Sequence, residues 1–259
     1  MMKTLRISDL LVWALGAVVM SLSPVQAATD GAICRQIRHE GIPHTVCEVE
    51  AGSDMRLFLN DAAGRNIGSF SRIDRLLAAD GNTLVFAMNA GMYHADLSPV
   101  GLHVEDGTEI SPIVTAAGPG NFGMRPNGVF CILDDGRFRV IESRAFAEAP
   151  PSCRHATQSG PMLVIDGDLH PRFLADATSR HIRNGVGVSA DGARAWFVIS
   201  DEPVTFHEFA RVFRDVLGSP QALYFDGNIS RLHAPGLRRS DFGFAMGPII
   251  GLVAPKATP

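Results

Sequence analysis

The sequence predicts an α+β fold in which a single domain is built on a large mixed or antiparallel sheet with a few packed helices. Short segments with alternating apolar and polar residues recur along most of the chain, and Asp-Gly pairs separate many of them. Only two segments stand out for helical spacing. The chain has 259 residues, of which 46% are hydrophobic, and this is enough for one packed core.

Ten segments show the period-two alternation that is typical of β-strands: residues 45–49, 55–59, 83–88, 101–104, 128–133, 138–141, 162–165, 195–199, 222–225 and 248–253. Asp135-Gly136 and Asp191-Gly192 each interrupt such a pattern. Asp-Gly favours the positive φ values that a type I′ turn requires. We therefore predict a hairpin with a type I′ turn at each of these two pairs.

The two predicted helices have recognisable ends. Residues 71–79 begin at Ser71, which is suited to capping, and end before Gly81. Residues 205–217 carry apolar side chains at helical spacing, and Gly218 follows as a stop signal. The aromatic residues of this second helix are expected to belong to the core.

The N-terminal segment is typical of a secretory signal. It has a basic start, an apolar run that is too short to span a membrane, and a small-x-small pattern that ends at Ala27. We predict a signal peptide over residues 1–27 and one domain over 28–259, with an uncleaved anchor as the alternative. The protein is then periplasmic or secreted and makes no stable membrane insertion after cleavage. Residues 28–44 and 254–259 are expected to be terminal extensions.

Export also bears on the four cysteines, Cys34, Cys47, Cys131 and Cys153. An even number of cysteines in an oxidising compartment predicts disulfides, and four cysteines allow three pairings. We favour Cys34–Cys47 and Cys131–Cys153, because each pair brackets a short hairpin-like stretch. The cysteines show no CxxC or Cys/His spacing of the kind that binds zinc.

Charge and known motifs exclude several function classes. The formal net charge is -4, which argues against a nucleic-acid partner. Only two of the 23 basic residues, Lys3 and Lys256, are lysines, and codon usage explains most of this bias toward arginine. The chain contains no GxSxG, HExxH, Walker or dinucleotide-binding motif.

Polar residues follow two of the predicted buried strands directly. Asn89 ends the first of these runs and is followed by Gly91, and Asp226 ends the second and is followed by Gly227. A rigid strand can hold such a group at a sheet edge, and a glycine lets the backbone approach a ligand closely. Ordinary turn chemistry is the alternative, since Asn and Asp also form turns.

Three further segments combine polar residues with strands. Residues 158–160 (Gln-Ser-Gly) precede one strand and Asn127 precedes another, where Asn127-Gly128 is alternatively a simple turn. On an extended strand, His181 and Arg183 would share one face. This would place a proton-transfer group beside a phosphate-binding group, with an exposed basic edge strand as the alternative.

Taken together, five ordered motifs resemble the phosphodiester glycosidase domain family. They are NAGMY at 89–93, PNGVF at 126–130, QSGPMLV at 158–164, HIRNGVGV at 181–188 and DGNIS at 226–230. The resemblance runs from about Thr83 to Val253. It implies a hydrolase that splits the glycosidic bond of a sugar-1-phosphodiester and leaves a phosphomonoester. For an exported chain, the expected substrate belongs to an envelope or extracellular glycan.

The resemblance also implies roles for individual residues. Asp226 is the catalytic carboxylate, Arg183 contacts the phosphate, and His181 is a further acid/base candidate. The implied substrate-binding residues are Asn89, Gly91, Asn127, Gln158, Ser159, Gly160, Gly227 and Ser230. No cofactor is implied. A divalent cation would suit oxygen ligands, but no compact carboxylate cluster supports one.

Two departures from the family leave alternatives open. Asn228 stands where the family usually has the second glycine of Asp-Gly-Gly, and Asn184 follows Arg183 where many members have threonine. The extra bulk at residue 228 puts the sugar pocket in doubt. One alternative is a non-catalytic glycan- or phosphate-binding envelope protein with the same fold. Another is a metal-dependent phosphodiesterase that uses Asp226, Asn89 and His94.

Overall fold

A computed structural model describes residues 33–256, so the predicted signal peptide lies outside the described residues. The strands are β1 (Ile33–His39), β2 (Ile42–Glu50), β3 (Met55–Phe58), β4 (Asn82–Asn89), β5 (His103–Glu105), β6 (Thr108–Ser111), β7 (Gly128–Leu133), β8 (Phe138–Glu142), β9 (Cys153–Ser159), β10 (Met162–Ile165), β11 (Asp168–Leu169), β12 (Asn184–Val188), β13 (Arg194–Ser200), β14 (Gln221–Asp226), β15 (Leu232–Ala234), β16 (Arg239–Ser240) and β17 (Ile249–Pro255). The helices are α1 (Phe70–Ala78), α2 (Ser143–Glu148) and α3 (Phe206–Arg211), with a π-helix over Val212–Val216 and a 3-10 turn over Pro235–Leu237.

The strands form three sheets in which neighbouring strands run antiparallel. The seven-stranded sheet has the order β1-β2-β13-β12-β14-β10-β11, the β4 sheet β16-β15-β4-β17-β3, and the β7 sheet β6-β5-β9-β7-β8. The predicted large antiparallel sheet and the few helices are present, but the fold contains more sheet than the predicted α+β class, and its strands divide into three sheets. A strongly twisted sheet of so many strands splits into smaller packed sheets, because twist accumulates from strand to strand.

The main core lies between the three sheets, and each sheet contributes one phenylalanine to its centre. Phe86 comes from the β4 sheet, Phe130 from the β7 sheet and Phe197 from the seven-stranded sheet. The Phe197 ring lies 5.3 Å from Phe86 and 5.7 Å from Phe130 between ring centroids. All three side chains are fully buried. Aromatic packing at these distances is favourable beyond the area that it buries, so this contact joins the sheets.

Both predicted Asp-Gly hairpins form, but with a different turn from the predicted one. Gly136 and Gly192 have positive φ, whereas Asp135 and Asp191 do not, so neither turn is type I′. Each aspartate instead accepts a 3.0 Å hydrogen bond from the backbone N–H two residues later. Positive φ at both residues occurs at Asp106-Gly107 and Asp166-Gly167 instead.

The predicted N-terminal extension is wrong for the residues that the structure describes. Residues 33–44 form β1 and the start of β2, which pair along their whole length. β1 is an edge strand rich in polar residues, so it lacks the alternation that revealed its neighbours. The structure contains the Cys34–Cys47 disulfide across this pair and the Cys131–Cys153 disulfide in the β7 sheet, as favoured from the sequence.

Both predicted helices are present, with differences at their ends. α1 begins one residue before Ser71, and its N-cap is Ser69, whose side chain makes no capping hydrogen bond. α3 begins with a complete capping box between Thr205 and Glu208. It continues as a π-helix until Gly218, where φ is +62°. Among residues 33–256, no helix is both long and apolar enough to cross a membrane.

Candidate active site

The candidate site lies where the ends of strands from all three sheets meet. Asn89 is the last residue of β4, Ser159 the last of β9, and Asp226 the last of β14. Asn184 begins β12 and pairs in register with Asp226. The Ser159 hydroxyl donates to the Phe225 carbonyl across 2.9 Å. The fold thus brings four of the segments singled out in the sequence to one junction.

The Asn89 and Asn184 side chains join the β4 sheet to the seven-stranded sheet. Asn89 Oδ1 accepts hydrogen bonds from Asn184 Nδ2 at 3.1 Å and from the Arg231 backbone N–H at 2.9 Å. Asn184 Nδ2 also lies 2.8 Å from the Asn89 carbonyl. Both asparagines are fully buried. Asn89 therefore supports the site from behind, and Asn184, the departure from the family's threonine, supplies the link.

Asp226 lies at the end of β14 with its side chain almost fully buried and 8% of the residue exposed. Its Oδ1 accepts hydrogen bonds from the backbone N–H groups of Gly227 at 2.6 Å and Asn228 at 2.8 Å. Burial raises the pKa of this carboxyl, while these backbone donors and that of Ile229 oppose the rise. The site thus holds a carboxylate in a poorly solvated place, with donors that fix its orientation.

Asp226 lines a cavity of about 460 Å³. The lining also includes Tyr93, Asn121, Asn228 and Ile229. Among the described residues that line this cavity, Asp226 is the only carboxylate. The volume lies within the range of small-molecule sites, and a single buried carboxylate gives the cavity a defined chemical centre.

Arg183 is buried behind this cavity and has no carboxylate partner among residues 33–256. Its guanidinium donates to the Val204 carbonyl at 2.9 Å, to the Ser179 carbonyl at 3.2 Å and to the Tyr224 hydroxyl at 3.1 Å. It also stacks 3.7 Å from the centre of the Phe206 ring. Burial lowers its pKa. Only 1% of Arg183 is exposed, so direct contact with a phosphate stays a prediction.

Tyr224 connects Arg183 to the segment that carries Asp226. Tyr224 and Asp226 lie two residues apart on β14, and the pairing of this strand with β12 shifts register between them. Burial and the nearby Asp226 raise the pKa of the Tyr224 phenol, and the Asn121 side chain, which lines the cavity, lies beside it. A Cβ added at Gly227 would overlap the Tyr224 hydroxyl. The glycine is required here for close packing.

Gln158 and Ser159 make structural contacts in this arrangement. Gln158 Oε1 accepts from the backbone N–H groups of Leu102 at 3.0 Å and Val114 at 2.9 Å. Its Nε2 lies 2.6 Å from the Val114 carbonyl and 2.8 Å from the Ser143 hydroxyl. All of its polar atoms are thus bonded within the protein. Gln158 therefore braces the segment between 101 and 114, and its contact with a substrate stays a prediction.

The remaining predicted binding residues shape the loops around the cavity. Asn127 Nδ2 donates to the Phe122 carbonyl at 2.8 Å, and a Cβ at Gly160 would lie 2.5 Å from Asn127 Cβ. Gly91 has a φ of +139°, which other residues rarely adopt. The Ser230 hydroxyl lies 2.9 Å from the Asp226 carbonyl. These residues position the lining, and whether they touch a substrate stays a prediction.

The extended-strand interpretation predicted that His181 and Arg183 share one face, but their side chains lie in different surroundings. β12 begins only at Asn184, and the backbone of His181 bridges to Val204. The His181 side chain is exposed, whereas Arg183 is buried. His181 and Arg183 both precede β12, so the alternation of a regular strand does not place their side chains on one face.

Sequence reasoning missed Tyr93, Asn121 and Tyr224. Tyr93 was inside the NAGMY motif, and Tyr224 has a signal in its spacing of two residues from Asp226. Asn121 lies in an irregular loop and has no comparable signal. His94, the ligand named in the metal-dependent alternative, lines a different cavity from Asp226. Residues 33–256 contain no group of three His, Cys, Asp or Glu side chains that could hold a metal ion.

The model of the phosphodiester glycosidase family matches residues 82–234. Uncharacterized protein YigE of Escherichia coli (strain K12) is 37% identical over 150 residues. That alignment covers 58% of this chain and 58% of the relative, so the chain spans less than two thirds of the relative's length.

A solved structure has a similar fold. The catalytic domain of zebrafish N-acetylglucosamine-1-phosphodiester alpha-N-acetylglucosaminidase, auto-inhibited by its pro-peptide, matches with a TM-score of 0.58 and 14% sequence identity. The match covers 86% of this chain and 82% of that domain. At this identity the likeness concerns the fold alone.

The fold and the Asp226 cavity define a concave site with one buried carboxylate and a buried arginine nearby. The family match includes β4, β9, β12 and β14, the strands that meet at this site. The chain belongs to the phosphodiester glycosidase family.

Proposed function

We propose that this protein is an exported hydrolase that cleaves the glycosidic bond of a sugar-1-phosphodiester in an envelope or extracellular glycan. The observation that carries the proposal is Asp226, the single carboxylate of the described cavity lining, on a motif of a phosphodiester glycosidase family. The two disulfides suit a protein that acts in an oxidising compartment.

Asp226 is suited to the charge that develops when the glycosidic bond breaks. The transition state of such a reaction resembles an oxocarbenium ion, which a nearby carboxylate stabilises as nucleophile, base or electrostatic partner. Low solvation strengthens this interaction, because little water screens the charges. Backbone donors keep the carboxylate in place before the substrate arrives.

Arg183 supplies the opposite charge that the leaving group needs. A phosphate leaves with negative charge, and charge neutralisation helps it more than a strong acid does. The buried guanidinium has no carboxylate partner among residues 33–256, so its positive charge is available to an anion in the neighbouring cavity. As proposed, the reaction contains no step that requires a cofactor.

The test is release of free sugar from a panel of sugar-1-phosphodiesters. Asp226→Asn keeps the shape of the side chain and removes its charge, and we expect turnover to fall by about 100-fold or more. Asp96→Asn is the matched control, because Asp96 lines a different cavity and is exposed. No turnover of any member by the wild type, or equal turnover by Asp226→Asn, would contradict the assignment.

Asn228 motivates the second candidate, a non-catalytic protein that binds a glycan or phosphate with the same fold. Its side chain lines the cavity at the position where the family usually has glycine, so it occupies part of the space beside Asp226. This candidate predicts that sugar-1-phosphates raise the melting temperature while no phosphodiester of the panel is hydrolysed.

A further inference from the structure

The Tyr93 hydroxyl is a buried polar group near Asp226, and the proposed roles of Asp226 and Arg183 do not involve it. Nine buried side-chain atoms have no hydrogen-bond partner among residues 33–256. Only one of them, Tyr93 Oη, belongs to a residue that lines the Asp226 cavity. Burying a hydroxyl without a partner destabilises a fold, so such a group in a cavity calls for a functional explanation.

The position of Tyr93 is held by its surroundings on both sides. Its backbone bridges to Pro99, and the Val100 N–H donates to the Met92 carbonyl at 3.0 Å. The ring packs against Gly247, where an added Cβ would lie 2.6 Å from Tyr93 Cβ. A group held this firmly is oriented before a ligand binds.

Burial raises the pKa of the Tyr93 phenol, which therefore stays protonated. Burial and the nearby Asp226 carboxylate raise the pKa of the phenol, and the nearby Arg231 guanidinium opposes them. A neutral phenol donates one hydrogen bond. Among the described residues that line the cavity, Asp226 and Tyr93 are the only titratable side chains. A hydrogen-bond acceptor and a donor therefore flank the same space.

We propose that the Tyr93 hydroxyl donates a hydrogen bond to an oxygen of the substrate bound beside Asp226. This inference rests on the proposed function and adds a substrate-contacting residue to it. The hydroxyl, which has no partner in the described protein, gains one when a sugar or phosphate oxygen enters the cavity. Tyr93 then contacts the substrate directly, whereas Tyr224, whose hydroxyl lies against Gly227, acts through the position of the Asp226 segment.

The experiment compares the two tyrosines of the chain, each changed to phenylalanine. Tyr93→Phe removes a hydroxyl without a partner, so we expect an unchanged or higher melting temperature and a kcat/KM lower by about tenfold or more. Tyr224→Phe removes a hydroxyl that accepts a hydrogen bond from Arg183, so we expect a lower melting temperature. If Tyr93→Phe loses activity and keeps its melting temperature, the hydroxyl contacts the substrate, because loss of a purely structural group would lower the melting temperature as well.

Three outcomes separate this inference from the proposed function. Wild-type turnover with an unchanged kcat/KM in Tyr93→Phe overturns the role of Tyr93 alone, as does a melting temperature that falls as far as that of Tyr224→Phe. If the wild type turns over no phosphodiester, the role of Tyr93 is tested by the rise in melting temperature that glucose 1-phosphate or N-acetylglucosamine 1-phosphate produces in the wild type and in Tyr93→Phe. Weaker stabilisation of Tyr93→Phe supports the contact, and equal or absent stabilisation overturns it.

Discussion

Two Asp-Gly pairs follow neighbouring strands of the seven-stranded sheet, and their surroundings differ. Asp166-Gly167 follows β10, and Asp226-Gly227 falls at the end of β14. Since β10 and β14 run antiparallel, the two Asp-Gly pairs lie at opposite ends of these neighbouring strands. Each aspartate lines a cavity, of about 510 Å³ for Asp166 and about 460 Å³ for Asp226. Cavity size therefore does not distinguish them.

The distinction lies in burial and in what packs beneath the glycine. Asp166 is exposed, both residues of its pair have positive φ, and a Cβ added at Gly167 would meet no atom within 4 Å. Asp226 is buried, neither residue of its pair has positive φ, and Tyr224 occupies the space beside Gly227. Gly167 therefore provides the positive φ that its turn requires, whereas Gly227 leaves room for the Tyr224 hydroxyl next to the buried Asp226.

The largest expected effect comes from adding a methyl group at each glycine. Gly227→Ala forces a Cβ into the Tyr224 hydroxyl, which overpacks a buried site and costs about 1–3 kcal/mol of stability. It also displaces Asp226, so sugar release should fall about 100-fold. Gly167→Ala strains only an open turn, at about 1–2 kcal/mol, and should retain activity. Equal activity in the two variants, measured by sugar release, would show that the packing beneath Gly227 is unimportant.

A smaller effect is expected from changing Arg183, which supports the Asp226-Gly227 pair through Tyr224 and has no counterpart at Asp166-Gly167. Arg183→Lys removes the planar group that contacts Val204, Ser179 and Tyr224 together, and lysine cannot replace that geometry. We expect a loss of about 2 kcal/mol in the free energy of unfolding, measured by urea denaturation, with reduced turnover. The exposed Arg137→Lys serves as the control for the substitution itself. Wild-type stability in Arg183→Lys would contradict this role.

The smallest effect is a pH dependence that arises from burial of Asp226. Burial raises the pKa of this carboxyl in the folded protein above its ordinary value of 3.8, so the folded state keeps its proton to a higher pH than the unfolded state does. Stability should therefore fall as pH rises from about 3.8 through the folded pKa. Asp226→Asn should lack this fall and gain stability relative to the wild type over that window. Gly167→Ala, which retains Asp226, should keep the wild-type profile in thermal melts across pH.

Local sequence patterns predicted much of the fold because strand alternation reflects burial on one face. All ten predicted strands are present, although the strand predicted at 101–104 lies at 103–105. Seven of the described strands were not among these ten: β1, β6, β9, β11, β12, β15 and β16. β1 is a polar edge strand, and β9 is buried along nearly its whole length, so neither shows a one-sided pattern.

The candidate site was only partly predictable, because a local motif does not show which partner a polar side chain binds. Asp226 stood out because it ends an apolar strand and is followed by glycine. Gln158 also stood out, yet its side chain is bonded entirely within the protein. A motif shows that a polar side chain is placed firmly, and it does not show whether the partner is a ligand or another segment of the protein.

The sequence by itself determined ten of the 17 described strands, the favoured disulfide pairs, the resemblance to the family and the position of Asp226 at a strand end. Those features depend on residues close together in the chain or on ordered motifs along it. The division into three sheets, the burial of Arg183 behind Tyr224 and the cavity between Tyr93, Asn121 and Asp226 were decided by the tertiary structure. They depend on contacts between residues far apart in sequence, whose burial and hydrogen bonding no local pattern specifies.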